Sequence, residues 1–370
     1  MKVLLTGAFG NIGKYAVSEL LKKNHAVTCY EIKTKKNILA AKQFDRRVNI
    51  IWGDLITGEN LEEAVKGQDV IIHLAFIIPP ASEKNPELAY KINVGGTKRI
   101  VDAIKSYAPN ARLIFTSTIA VYGNSQHLPP PRRVGDPLNP VDNYGRQKIE
   151  CENIVMNSGL QWSILRLAAA PSIDWQRVDP IMFEVPLTDR IEFVHPGDIG
   201  LALANAVDSD EIWGKILLIG GGKRCQMFQR EFMKKALKML GIGVLPDEAF
   251  GKNCYHTDWM DTEESERILK YQKHSYDDFL KEQAEIFGWR AGLVKSFRPI
   301  VRCYLLLQSP YYREFLKRRM GFLNRKSWKE FFRFGKVALA NEVQNGFSGN
   351  HASMIKKSVK KNTRKNGKER

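Results

Sequence analysis

Cysteine is sparse in this 370-residue chain, and Cys29, Cys151, Cys225, Cys254 and Cys303 lack the paired spacing of a metal site or a disulfide framework. Reduced thiols in a cytoplasmic protein are therefore expected. No uninterrupted apolar run approaches the ~20 residues needed to cross a bilayer. Met1 leads almost at once into the apolar Val3-Leu4-Leu5, so no signal peptide is expected. Internal repeats are missing as well. Acidic residues are ordinary over 1–290, where 36 of them face 37 Lys+Arg, but scarce over 291–370, where 4 face 20. Nearly all of the net charge of +17 thus lies at the C-terminal end. With 44% hydrophobic residues, the chain has the composition of a globular protein with a sizeable core.

The basic end divides in two. Residues 291–343 interleave Arg313, Lys317, Arg318 and Arg319 with Phe297, Tyr304, Leu305, Leu306, Leu307, Tyr311, Tyr312, Phe315, Trp328, Phe331, Phe332 and Phe334. That spacing predicts amphipathic helices broken near Pro310 and Gly321. Residues 344–370 are lysine-rich towards their end and are expected to be disordered. A basic helix with an aromatic face can lie in a membrane interface, where anionic lipid contributes roughly 1 kcal/mol per nearby lysine or arginine. Packing against the protein itself is weighed equally. Nucleic acid is disfavoured, because no recognisable binding motif accompanies the charge.

The chain's most telling feature is the loop Thr6-Gly7-Ala8-Phe9-Gly10-Asn11-Ile12-Gly13. It follows an apolar run and opens a helical pattern (Ile12, Tyr15, Ala16, Leu20). Glycines there allow a tight turn, close approach of backbone to a pyrophosphate, and packing of helix on strand. The first-turn N–H groups and the helix dipole add attraction for an anion. About 130 residues later, Tyr144 and Lys148 stand one helical turn apart and share a face. A free tyrosine has a pKa of about 10, and a nearby ammonium is expected to lower it.

Together these residues resemble the extended branch of the short-chain dehydrogenase/reductase superfamily, the NAD-dependent epimerase/dehydratase family. Further segments match in order: Gly53-Asp54-Leu55, His73-Leu74-Ala75, Asn93-Val94-Gly95-Gly96-Thr97, Phe115-Thr116-Ser117-Thr118 with Val121-Tyr122-Gly123, Phe193-Val194-His195-Pro196-Gly197-Asp198, and Asp261-Thr262 with Leu269-Lys270-Tyr271. The resemblance spans roughly residues 1–287. It implies cofactor contacts from Gly7, Phe9, Gly10, Asn11, Ile12, Gly13, Glu31, Asp54, Leu55, Leu74, Ala75, Asn93, Thr116, Tyr144 and Lys148. It also implies a catalytic Thr118 (Ser117 less favoured), Tyr144 as general acid/base, and Lys148 poising the tyrosine and anchoring the ribose. His73 and His195 belong to structural segments, and no metal is expected. Glu31, 18 residues past Gly13, favours NAD by repelling the extra phosphate of NADP. The following Lys33, Lys35 and Lys36 leave NADP open, although a solvated loop explains them more simply.

Two departures narrow the expectation. Ile119-Ala120 replace the acidic pair that dehydratases of the family carry, so dehydration is not expected. Leu165-Arg166-Leu167-Ala168-Ala169-Ala170-Pro171 places small apolar residues where, in the family, diphosphate-contacting groups often sit, unless backbone amides, Arg177 or Arg190 take that task. The stiff Leu128-Pro129-Pro130-Pro131-Arg132-Arg133 segment is expected to border the cleft.

The fold expected is α/β: a Rossmann-type doubly wound parallel sheet over 1–170, and a substrate-binding region over 171–290 interleaved with that sheet. The basic helical extension (291–343) and tail (344–370) follow. Strands are expected near 2–6, 26–31, 48–52, 69–74, 111–117, 161–166 and 216–220. Helices are expected near 12–23, 60–66, 87–107 and 143–158. The leading functional expectation is an NAD(P)-dependent oxidoreductase acting on a secondary hydroxyl or ketone of a small, apolar or lipid-like molecule. A nucleotide-sugar epimerase and a non-catalytic NAD(P)-binding sensor or assembly protein are the alternatives. A homodimer, with peripheral membrane contact through 291–370, completes the expectation.

Overall fold

Continuous apolar runs such as Val3-Leu4-Leu5 and Val70-Ile71-Ile72 suit strands covered on both faces, and all six residues are fully buried. A computed structural model describes residues 1–44, 46–171, 180–252 and 256–319. Its strands are β1 (Lys2–Thr6), β2 (Ala26–Glu31), β3 (Asn49–Trp52), β4 (Val70–His73), β5 (Arg112–Thr118), β6 (Trp162–Leu167), β7 (Arg190–Glu192), β8 (Ile216–Ile219) and β9 (Gln226–Phe228). Seven of them form a parallel sheet in the order β3-β2-β1-β4-β5-β6-β8. β7 and β9 pair antiparallel beside it.

Helices α1 (Gly13–Lys22), α2 (Lys35–Ala41), α3 (Leu61–Val65), α4 (Ala81–Lys84), α5 (Pro86–Tyr107), α6 (Asn143–Met156), α7 (Pro196–Val207), α8 (Gln229–Met239), α9 (Glu263–Leu269), α10 (Tyr276–Phe287) and α11 (Arg290–Ser296) complete the first compact unit, which ends at Ser296. One face of the sheet buries Ala16, Val17 and Leu20 of α1 with Ile199, Leu203 and Val207 of α7. The other face buries Val94, Ile100 and Ile104 of α5 with Cys151 and Val155 of α6. α1 and α7 approach closely because Gly200 has no side chain; a Cβ there would lie 2.7 Å from the Tyr15 carbonyl carbon.

The expected strands and helices of the sheet are present, with ends differing by a residue or two. Two features differ from expectation. Lys35 and Lys36 begin helix α2 instead of a solvated loop, because Thr34 caps it by accepting the Asn37 N–H at 3.1 Å. The β7/β9 pair, three residues each, is too short for a period-2 pattern to reveal.

The second unit begins at Phe297. Its described part contains α12 (Arg298–Gln308) and α13 (Pro310–Arg319), separated at Pro310 as the sequence predicts. The expected break at Gly321, the aromatics from Trp328 to Phe334 and the lysine-rich end lie outside the described residues. Among the described residues no helix is long and apolar enough to cross a membrane.

Helix α6, which carries Tyr144 and Lys148, is fixed by an ion pair beneath it. Arg166 of β6 donates from Nε and Nη2 to both carboxylate oxygens of Glu152 at 3.0 and 2.7 Å. Its Nη1 bonds the Tyr122 hydroxyl at 2.7 Å and the Val134 carbonyl at 3.2 Å. Both charged side chains are almost wholly buried. Removing one partner strands the other charge, which typically costs about 3–5 kcal/mol. Arg166→Met should therefore lower the stability measured by urea unfolding by about that amount, and adding Glu152→Leu should recover most of it. An unchanged midpoint for the single variant would show that the pair does not hold α6.

Candidate active site

The sheet order reverses between β1 and β4, opening a crevice at their C-terminal ends. Gly7, at φ +71°, ends β1 there, and a Cβ on it would lie 2.8 Å from the Ala75 nitrogen. A Cβ on Gly13 would lie 2.2 Å from the Gly7 carbonyl oxygen. Both glycines thus let chain segments approach closer than any side chain permits. Gly10 sits exposed at the rim, and Ile12 is the residue before α1.

Phe9 turns inward and packs its ring on Phe44 and Trp52 at 6.3 and 6.0 Å. Only its backbone faces the crevice, where its N–H donates to Glu31 Oε1 at 3.2 Å. Glu31 Oε2 accepts from Asn37 Nδ2 at 2.9 Å and from the Ile32 N–H at 3.1 Å. Burial raises the Glu31 pKa, and these N–H bonds with Lys36 pull it back. Asn11 donates from Nδ2 to the Ala170 carbonyl at 3.1 Å, while its Oδ1 is buried without a partner.

Beneath the crevice runs a buried chain of hydrogen bonds. Thr97 donates to the Asn93 carbonyl at 2.6 Å, so its oxygen accepts from His73 Nε2 at 3.2 Å. His73 Nδ1 is then the acceptor, taking the Thr6 hydroxyl proton at 2.8 Å. The Thr6 oxygen in turn accepts the Leu74 and Ala75 N–H groups at 3.2 and 3.1 Å. His73 stays neutral, its pKa lowered to about 3 by burial and by Lys148. Asn93 bonds both backbone groups of Ile77 and the Gln147 side chain. Asp54 accepts the Ile56 N–H at 2.8 Å, shaping a turn, and Leu55 is buried against Gly96.

Thr118, Tyr144 and Lys148 meet at the end of β5. The Thr118 hydroxyl lies near the Tyr144 phenol and accepts the Ala120 N–H at 3.2 Å. Ser117 Oγ is buried and unpartnered. Lys148 Nζ donates to the Thr116 carbonyl at 2.6 Å, and the Thr116 hydroxyl donates to the His73 carbonyl at 3.0 Å. The same ammonium lies 3.4 Å from the Phe76 ring centre and 4.7 Å from that of Phe115. Phe76 meets Tyr144 edge-on at 5.7 Å. α6 starts at the Asp142 cap, whose Oδ1 accepts the Gly145 N–H at 2.6 Å. Glu83 also accepts there, from the Asn143 and Tyr144 N–H groups, each at 3.2 Å.

The expected acidification of the phenol by the ammonium is not what this arrangement gives. Burial raises the Tyr144 pKa, with Asp142 adding to the rise and only Thr118 opposing it, although part of the side chain remains exposed. Burial also lowers the Lys148 pKa to about 7. The reason is distance and solvation: Nζ is 5.8 Å from the Tyr144 ring centre and points at Thr116. Arg190 is also not free for a diphosphate. Its guanidinium is engaged with both Asp258 oxygens and the Ser125, Gln126 and Leu128 carbonyls. Arg132, buried beside the same Asp258, ties down the proline segment and bonds the Pro129 carbonyl. Arg177 lies outside the described residues.

Sequence reasoning passed over Phe76 and Glu83. An aromatic directly after His73-Leu74-Ala75 was the available signal for the first. The second sits 61 residues before Tyr144 and left no local trace. His195, Asp198 and His274 gather ligand-capable atoms within 4.8 Å of one another. However, Asp198 is occupied by N–H donors of Lys273 and His274. Both His195 nitrogens are engaged as well, by Gly197 and Glu282.

A side-chain-free glycine cradle, α1's first-turn N–H groups, an orphaned Asn11 oxygen and a carboxylate at the β2 end fit a dinucleotide. Residues 3–170 match the model of the NAD dependent epimerase/dehydratase family. D-erythronate dehydrogenase of Haemophilus influenzae is 32% identical over 158 residues, 42% of this chain and 49% of that protein. A 3-beta-hydroxysteroid dehydrogenase of Mycolicibacterium neoaurum is 28% identical over 239 residues, 60% of this chain and 62% of that protein. The human sterol-4-alpha-carboxylate 3-dehydrogenase, decarboxylating, is 28% identical over 201 residues, 51% of this chain and 49% of that protein. The chain therefore spans between about half and three-fifths of these curated relatives. Among solved structures, UDP-glucose-4-epimerase of Stenotrophomonas maltophila with bound NAD superposes with a TM-score of 0.67 at 18% identity, covering 80% of this chain and 99% of that one. A short-chain dehydrogenase/reductase superfamily protein of Agrobacterium tumefaciens with bound NAD gives 0.65 at 19%, covering 80% and 100%. Residues 3–170 are thus similar to the NAD dependent epimerase/dehydratase family, and the fold is shared with solved structures that hold NAD.

Proposed function

We propose that this protein is an NAD-dependent oxidoreductase acting on a secondary hydroxyl or keto group of an apolar or lipid-like small molecule. The observation that carries the reading is the meeting of Thr118, Tyr144 and Lys148 beside the glycine crevice. Bound NAD would supply the hydride acceptor. The phenol oxygen of Tyr144 takes the substrate's hydroxyl proton during oxidation and returns it during reduction. Thr118 Oγ1 holds the same substrate oxygen against the phenol. Lys148 Nζ would anchor the ribose of the bound dinucleotide. Gly7, Gly10, Asn11 and Gly13 would hold the dinucleotide, with the backbone of Phe9, Leu74 and Ala75 and with Asp54 and Leu55 nearby. Glu31 would accept the ribose hydroxyls and disfavour a 2′-phosphate.

The apolar substrate rests on two supports. Ala168, Ala169 and Ala170 follow β6 without a polar side chain, and Arg166 and Arg190 are engaged internally. The steroid and sterol dehydrogenases among the relatives agree with it. A nucleotide-sugar epimerase is the second reading, favoured by a UDP-glucose 4-epimerase of Lactobacillus helveticus that is 30% identical over 173 residues. A non-catalytic sensor fits less well with a retained tyrosine and lysine. A homodimer is proposed through the outer side of α5, which exposes Leu88 and Tyr90.

Tyr144→Phe should lower the rate of NADH formation from a 3-hydroxysteroid by roughly 10²–10⁴-fold while NAD affinity, measured by calorimetry, stays within a few-fold. A wild-type enzyme inert on 3-hydroxysteroids but active on UDP-glucose would favour the second reading. Glu31→Ala should tighten NADP binding by about tenfold, near 1.4 kcal/mol. Unaltered cofactor preference in that variant would remove Glu31 from the ribose site.

A further inference from the structure

The inward face of α10 runs past the edge of the domain core. Phe279 and Gln283 on that face are buried, yet Ile286, next in the same helical series, is 55% exposed. Trp289 (66% exposed) and Leu293 (48%) follow at intervals of three and four residues in sequence, across the break at Gly288 that ends α10. Phe297 and Ile300 continue the interval along the sequence and are themselves exposed. A soluble surface scatters single apolar side chains, but a recurring series with a tryptophan marks a contact surface.

Charge identifies the occupant. Residues 286–319 contain eight Lys or Arg and a single acid, Glu314. Such an excess repels a basic partner, including a second copy of this segment, and attracts a dense anionic surface. Tryptophan beside aliphatic groups suits the headgroup–acyl boundary of a bilayer, where one end of the ring is wet and the other dry. Among the described residues no helix is long and apolar enough to cross a membrane, and binding at the interface needs none.

We propose that residues 286–296 form an interfacial docking surface for an anionic lipid bilayer, with Ile286, Trp289 and Leu293 as its apolar contacts and the basic chain that follows as its electrostatic anchor. The inference is independent of the substrate, although an enzyme acting on lipid-like molecules gains access to them at such a surface.

Co-sedimentation of the full chain with vesicles tests it. Binding should be several-fold greater on phosphatidylcholine vesicles containing phosphatidylserine than on phosphatidylcholine alone, and should weaken as salt is raised. The triple variant Ile286→Ser, Trp289→Ser, Leu293→Ser should bind the anionic vesicles about tenfold more weakly. Its unfolding midpoint and elution volume should be unchanged, since these side chains are already exposed. Wild-type protein left in the supernatant, or a triple variant that sediments like wild type, would overturn the proposal. A triple variant that dissociates a dimer would assign the surface to a second copy. Tighter retention on single-stranded RNA than on anionic vesicles would assign it to nucleic acid, with the same consequence for the proposal.

Discussion

The site is organised around one buried cation. Lys148 has left water, and what offsets that loss is a single carbonyl, Thr116 O at 2.6 Å, and two aromatic faces, Phe76 and Phe115. Desolvating an ammonium favours its neutral form, so Lys148 sits at about 7 and is near the balance point of its two states at neutral pH. The same neighbourhood keeps His73 neutral, and Thr97, whose proton goes to the Asn93 carbonyl, fixes its tautomer and with it the direction of the hydrogen bonds from Thr97 to Thr6. That network positions the Leu74 and Ala75 backbone against Gly7, where a side chain would not fit. The crevice floor and the lysine are therefore coupled through one strand end.

Rigid support comes from arginines engaged inside the protein, Arg190 among them. Arg166 locks α6 to β6 and to Tyr122, and Arg190 with Arg132 closes around Asp258. Buried guanidinium–carboxylate pairs add little net stability relative to apolar packing, but they fix geometry, because breaking them is costly. Tyr144 and Thr118 owe their meeting to this frame. Ala168, Ala169 and Ala170 after β6 carry no polar side chain, and the Ala170 carbonyl accepts from Asn11.

Much of this was legible in the sequence, and the reasons are physical. Val3-Leu4-Leu5 and Val70-Ile71-Ile72 read as buried strands because a parallel sheet covers both of their faces. Gly7 and Gly13 read as a loop because no other residue tolerates such approach. Tyr144 and Lys148 read as neighbours because helical spacing is local. What was not legible depends on contacts distant in sequence. The state of Lys148 depends on Phe76, and the α6 start depends on Glu83, two segments that no periodicity links to Tyr144. Arg190 looked available because Asp258, 68 residues away, could not be assigned to it. Helix α2 hid behind three lysines whose polarity resembles a loop, although the Thr34 cap marked its start.

The central claim is that Lys148 and Tyr144 are held in an unpoised state, to be completed by the dinucleotide. Titrating phenolate absorbance, taken as wild type minus Tyr144→Phe, with and without saturating NAD, tests it most directly. Exchange of the Thr116 bond for the ribose, beside the positive nicotinamide, should bring the Tyr144 pKa down by at least about one unit. The same pKa with and without NAD would contradict the account, whatever the substrate proves to be.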